Sequence, residues 1–197
     1  MIKAVILDLN GVFLKSKLLS DRMEEKHEVP TEEFISALKE IMPKVREPKA
    51  ASIYKLFTSY FKAWKLKITE EEFLDFWFGG ETLVKELLNY IKELKEKGLK
   101  IFILSNNFKE RTKHYRKRFP ELFNTINKAY FSWETGFVKP SEKAFRYILE
   151  ENNLDPEDCI YFDDSQKNVD AANLIGITAL KYEGIQKVKE VIEKLIN

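Results

Sequence analysis

The sequence is almost without cysteine: Cys159 stands alone among 197 residues. One thiol excludes an internal disulfide framework and fits a reducing compartment. An excess of charge of either sign is missing as well. Lys and Arg total 33 against 32 for Asp and Glu, a formal net charge of +1. That balance gives no global reason to expect a nucleic acid or a membrane surface as partner. Long apolar runs are also absent. The first one, bounded by Lys3 and Asp8, is too short for a signal peptide or a membrane span. There is no internal repeat and no low-complexity linker. These absences leave a cytoplasmic protein of one domain, or of one core domain with a modest insertion, long enough to bury a sizeable core.

What is present alternates. Short apolar runs at 3–7, 100–104, 128–131, 159–162 and 178–180 are bounded by polar or turn residues, the form of strands buried on both faces. Helical patterns lie between them. Leu83, Leu87, Ile91 and Leu94 make one stripe that ends at Gly98. Ser141 is placed to cap a helix carrying Ala144, Phe145, Ile148 and Leu149, and Ser165 to cap another that stops at Gly176. A last helix would bury Ile185, Val188, Val191, Ile192 and Leu195. Such alternation implies an α/β fold, a doubly wound parallel sheet with right-handed crossovers. Residues 15–80 break it, with helices and no convincing strand; Thr69 and Glu72 there have the spacing of a capping box. The expected division is a Rossmann-like core of residues 1–14 and 81–197 with a small α-helical cap over 15–80.

Ligands of an open parallel sheet bind in the crevice beyond the carboxyl ends of its strands. Four polar stations fall there. The first strand delivers Asp8, the second ends in Ser105, Asn106 and Asn107, the third leads through "SWETGFVKP" to Lys139, and the fourth ends in Asp163 and Asp164. Clustered acids in a crevice repel unless a divalent cation neutralises them. Carboxylates and carbonyls suit a hard ion such as Mg²⁺. With one lysine and one hydroxyl added, the set suits a phosphoryl group, and Asp8 is the carboxylate free to act as nucleophile.

The motifs "DLNGV" (8–12), "LSNN" (104–107), "GFVKP" (136–140) and "FDDSQKN" (162–168) stand in that order, each after an expected strand, and together the chain resembles the haloacid dehalogenase superfamily over essentially its whole length. Most members of that family are Mg²⁺-dependent phosphatases working through an aspartyl-phosphate, with a helical cap inserted after the first motif. The resemblance implies Asp8 as nucleophile and metal ligand, Ser105 and Asn106 as phosphate-binding residues, and Lys139 as the group that orients the nucleophile and binds phosphate. It further implies Asp164 as metal ligand with Asp163 beside it, and a small phosphorylated metabolite as substrate. No nucleic acid or membrane partner is implied, and the chain is expected to act as a monomer or homodimer.

Asn10 departs from the family pattern, which usually has an Asp there to protonate the leaving oxygen and then activate water. Asn exchanges no proton near neutral pH, although its backbone carbonyl can still ligate the metal. Acid–base assistance, typically worth about 10²–10⁴-fold, is therefore expected to be lost. Three readings stand: a natural variant with another proton carrier or a good leaving group, an Asp-to-Asn change made to trap substrate, or a catalytically impaired phospho-ligand-binding protein. The natural variant is favoured because some relatives also lack the second Asp. Among enzymes the rival is a metal-independent 2-haloacid dehalogenase, for which Asp163 and Asp164 would be purposeless. A phospho-receiver domain also joins an Asp, a hydroxyl, a Lys and an acidic pair, but there the pair follows the first strand. Four features stay outside these roles. Asn168 is either a neighbour of the metal site or a plain helix residue, and Glu134 reads as surface, with support of Lys139 as the alternative. The basic run 111–118, with His114 inside it, reads as a solvated helix face. The aromatic residues between Phe57 and Phe78 read as cap core, rather than as a platform for a ring.

Overall fold

The computed structural model describes residues 2–196. Seven strands and eleven helices follow the chain: β1 (Ala4–Leu7), β2 (Leu14–Lys15), α1 (Leu19–His27), α2 (Thr31–Val45), α3 (Ile53–Ala63), α4 (Glu70–Phe78), β3 (Thr82–Leu83), α5 (Lys85–Glu96), β4 (Lys100–Ser105), α6 (Lys109–Arg118), α7 (Pro120–Thr125), β5 (Lys128–Phe131), α8 (Ser132–Thr135), α9 (Glu142–Asn152), β6 (Cys159–Asp163), α10 (Gln166–Leu174), β7 (Thr178–Lys181) and α11 (Ile185–Ile196).

Five strands form one parallel sheet in the order β5-β4-β1-β6-β7. β1 is central because its AVIL run has no polar face: all four residues are buried, and Val5 pairs in register with Ile101 on one side and Ile160 on the other. Its alternate residues feed two cores. Val5 and Leu7 join the apolar stripes of α5 and α11 on one face; Ala4 and Ile6 join Phe145 and Ile148 of α9 and Val169 of α10 on the other. Helices on both faces explain why these strands read as continuous apolar runs.

The short strands β2 and β3 pair antiparallel and bracket α1 to α4, whose residues form a separate apolar cluster. Phe57 is fully buried at its centre, with ring centroids 5.3 Å from Phe73, 5.5 Å from Phe61 and 5.7 Å from Phe34. Phe108, from the segment after β4, enters the same cluster 5.4 Å from Trp77 and so ties the insertion to the sheet. The capping box at α4 forms: Thr69 Oγ1 accepts from the Glu72 N–H, and Glu72 Oε2 accepts from the Thr69 N–H at 2.8 Å.

Three expectations change. Neither Ser141 nor Ser165 caps through its side chain; the Ser165 N–H instead donates to Asp163 Oδ1 at 2.8 Å, and Ala144 N–H bonds the Ser141 carbonyl at 3.0 Å. Leu195 is 37% exposed and Val191 only half-buried, so the buried stripe of α11 is Ile185, Val188 and Ile192. Among the described residues no helix is long and apolar enough to cross a membrane.

Candidate active site

The carboxyl ends of β1, β4 and β6, with the loop after α8, meet at a cavity of about 240 Å³. Asp8, Asn10, Ser105, Asn106, Lys139 and Asp164 all line it. Asp163 is adjacent but fully buried.

Lys139 is the hub. It is 4% exposed, and its Nζ donates to Asp163 Oδ2 at 2.6 Å and to Tyr161 Oη at 3.0 Å. The same Nζ lies 3.0 Å from Asp8 Oδ1, a charge contact without good hydrogen-bond direction, since that buried oxygen has no directed partner. Asn106 holds the hub in place: its Nδ2 donates to the Lys139 carbonyl and its Oδ1 accepts the Lys139 N–H, both at 2.8 Å. The Asn106 amide, expected at the substrate, is thus occupied by the backbone of Lys139.

The acids divide by environment. Burial alone would raise the Asp163 carboxyl, but Lys139, Tyr161 and the Ser165 N–H outweigh it and hold Asp163 below the usual range. Asn168 adds donations to both oxygens at 3.1 and 3.0 Å, which places it beside the acids and not merely in a helix. Asp8 is pushed up, first by burial and against the pull of Lys139, with Asp163 adding to the rise. Asp164 is pushed up to about 6 by burial, by Asp8 and by Asp163. Its carboxylate packs against the backbone of the β1 loop at Gly11. A Cβ there would sit 2.2 Å from Asp164 Oδ2, and φ is +86°, so only glycine admits the contact.

The metal test follows from these groups. Asp8, Asp163 and Asp164 can each bring one oxygen within 4.8 Å of the others. Two of the three have raised carboxyls, Asp8 by burial and then the Asp163 charge, Asp164 by burial and then the charges of Asp8 and Asp163, the condition a divalent cation relieves. Asp163 has already met its donors, so Asp8 and Asp164 are the carboxylates with capacity left. The residues fit a hard dication.

Asn10 sits in a network that the sequence did not disclose. Its Nδ2 donates to Tyr115 Oη at 2.7 Å, and its Oδ1 accepts from Asn107 Nδ2 at 3.0 Å. Asn107 is oriented in turn, because its own Oδ1 accepts the Phe108 N–H at 3.0 Å. The Tyr115 phenol, held protonated by burial, lies near the Glu81 carboxylate; Glu81 Oε1 accepts from Arg111 Nε at 3.1 Å, and Glu81 Oε2 is buried without a partner. Arg111 and Tyr115 come from the basic run that read as solvent-facing. Only their spacing of four, one helix face turned inward, could have signalled it. Arg46, at the end of α2, also lines the cavity, and no motif pointed to it. Glu134 pairs with Arg116 at 3.6 Å, away from Lys139.

Residues 2–176 match the family model described as haloacid dehalogenase-like hydrolase. The chain belongs to that family. Its fold is similar to that of a family enzyme from Bacteroides thetaiotaomicron in complex with magnesium and inorganic phosphate, with a TM-score of 0.79 and 19% identity over 93% of this chain and 95% of that one. A haloacid dehalogenase-type phosphatase from Thermococcus onnurineus is similar over 97% of this chain and 98% of that one, at 18% identity and a TM-score of 0.66. A predicted hydrolase of the same type from Porphyromonas gingivalis is similar over 100% and 99%, at 20% and 0.70. At such identities the likeness carries the fold, and the dehalogenase-like hydrolase family carries the reaction class.

Proposed function

We propose that this hydrolase is a Mg²⁺-dependent phosphatase of small phosphorylated metabolites that works through an aspartyl-phosphate on Asp8. The observation that carries the reading is the environment of Asp8: a buried carboxylate oxygen with no directed partner, beside one ammonium group and a second, charge-raised carboxylate on Asp164. The magnesium and phosphate in the Bacteroides relative support it. Asp8, Asp164 and the Asn10 carbonyl would hold the ion, with Asp163 beside them. What Mg²⁺ supplies when bound is charge neutralisation of the phosphoryl oxygens.

The residues do the rest. Lys139, fixed by Asp163 and Asn106, favours the ionised form of Asp8 against burial and lies beside the carboxylate that attacks phosphorus. Ser105 donates its hydroxyl to a phosphoryl oxygen. An Asp8 oxygen forms the new P–O bond while the ester P–O bond breaks, and the leaving oxygen takes its proton from water because Asn10 has none to give. Water then attacks the acyl phosphate, releases inorganic phosphate and restores Asp8. Residues 15–80 act as the cap over this crevice.

Phosphate release from phenyl phosphate, measured with Mg²⁺ and then with EDTA, tests the reading. Turnover that EDTA stops is expected. Metal-independent chloride release from a 2-haloacid, without phosphate release, would overturn it in favour of a dehalogenase.

A further inference from the structure

The cavity wall opposite in charge to the acids contains two guanidinium groups. Arg111 is fully accounted for: two of its nitrogens pair with Glu81 Oε1, and it stacks over the rings of Trp77 and Tyr115 at 5.9 and 5.5 Å. Arg46 is different. It is the one residue of the helical insertion that lines the cavity, it makes no hydrogen bond or ion pair among the described residues, and its Nε is buried without a partner. Burial and then the neighbouring Arg111 disfavour its charge, and Asp8 favours it. Arg46 is half-buried, so the rest of its guanidinium is met by solvent that a ligand in the cavity can displace.

The charges show what is missing. Arg111 is balanced by Glu81, and Lys139 by Asp163. Asp8 and Asp164 are balanced by a dication. One positive charge, on Arg46, remains beyond what the transferred group engages at Lys139, Ser105 and the metal. A guanidinium fork matches a planar carboxylate with two parallel hydrogen bonds. At about 240 Å³ the cavity is below the usual range for ligand sites, about 300–1,000 Å³, so the group joining the two ends has few carbons.

We infer that the substrate is a small phosphomonoester whose leaving group carries a carboxylate, bound by Arg46 with Arg111 beside it. This rests on the phosphatase reading for the position of the phosphoryl end.

Calorimetric binding to the Mg²⁺-loaded protein tests it without needing turnover. Phosphonoacetate and ethylphosphonate differ by one carboxylate, and the first is expected to bind about 10- to 100-fold more tightly, the range of a charge-assisted pair in a partly buried site. Arg46→Ala should bring the ratio near one, and Arg46→Lys, which keeps charge but loses the fork, should leave an intermediate ratio. Equal binding of the two phosphonates by the wild type, or a preference that survives Arg46→Ala, overturns the inference. Phosphate release from phenyl phosphate is run beside it. Turnover without a carboxylate preference removes the subsite and leaves the phosphatase standing; a preference with no phosphate release from phenyl phosphate or from 2-phosphoglycolate, the ester counterpart of phosphonoacetate, keeps the subsite and removes the phosphatase.

Discussion

Asn10 is held at both ends of its amide, and the donors and acceptors around it suit an amide. Asn107 can only donate to it, and Tyr115 accepts from it while its own hydroxyl faces Glu81. An Asp here would keep the Asn107 donation and need Tyr115 to turn its proton toward it. Two donors on a carboxylate would also hold its pKa low. Asn10→Asp is therefore expected to speed alkyl phosphates, which need a protonated leaving oxygen, more than phenyl phosphates. The gain should lie toward the lower end of the roughly 10²–10⁴-fold of acid–base catalysis. Equal rates before and after, for both classes, would mean that the leaving oxygen is protonated by some other route. Asp8→Asn separates chemistry from folding. It should abolish turnover and, because Asp8 has a raised carboxyl whose charge opposes folding, raise the Tm of the metal-free protein. A lower Tm or surviving activity would show that Asp8 is a structural residue.

At the scale of elements, the helical insertion depends on an aromatic cluster separate from the two sheet cores, joined to the sheet through Phe108. Phe57→Ala removes the ring at the centre of that cluster and should cost about 3–5 kcal/mol, read by urea unfolding, with amide protection lost first in α2 to α4. A loss below about 1 kcal/mol would mean that the insertion repacks freely. The five sheet strands could be read because each is an unbroken apolar run, and the Thr69–Glu72 box because its spacing is local. β2 and β3 could not: two residues each carry no period, and they pair only because the insertion returns to where it left. The four motif stations were legible because the strand ends that carry them converge by topology. Arg46 was hidden because only the fold brings the end of α2 to the cavity at the strand ends, and Tyr115 because a buried phenol and a solvent-facing Arg118 share one short helix.

Over the whole molecule, β1 at the sheet centre with β6 beside it brings the acids of two strand ends within reach of one ion, and the charge of that crevice sets a pH dependence. Asp164 at about 6, and Asp8 raised with it, keep protons in the native state that the unfolded chain, with carboxyls near 4, has released. Native binding of extra protons makes stability fall as pH rises, so the metal-free protein should lose stability between about pH 4 and pH 6. Asp163, held low, contributes with the opposite sign. Its stability is lost only as pH falls through its depressed pKa, below that window. A dication binds the deprotonated acids, so its stabilisation, set by ligand concentration over Kd, must grow over the same interval in which the metal-free protein weakens. Thermal unfolding with Mg²⁺ and with EDTA is expected to give nearly coincident Tm values at about pH 4.5 and a clear rise with Mg²⁺ at about pH 7.5. A rise of the same size at both would place the ion away from Asp8 and Asp164. Repeating the pair of scans on Asp164→Asn, which keeps the shape at Gly11 and removes the charge, should abolish the rise at the higher pH.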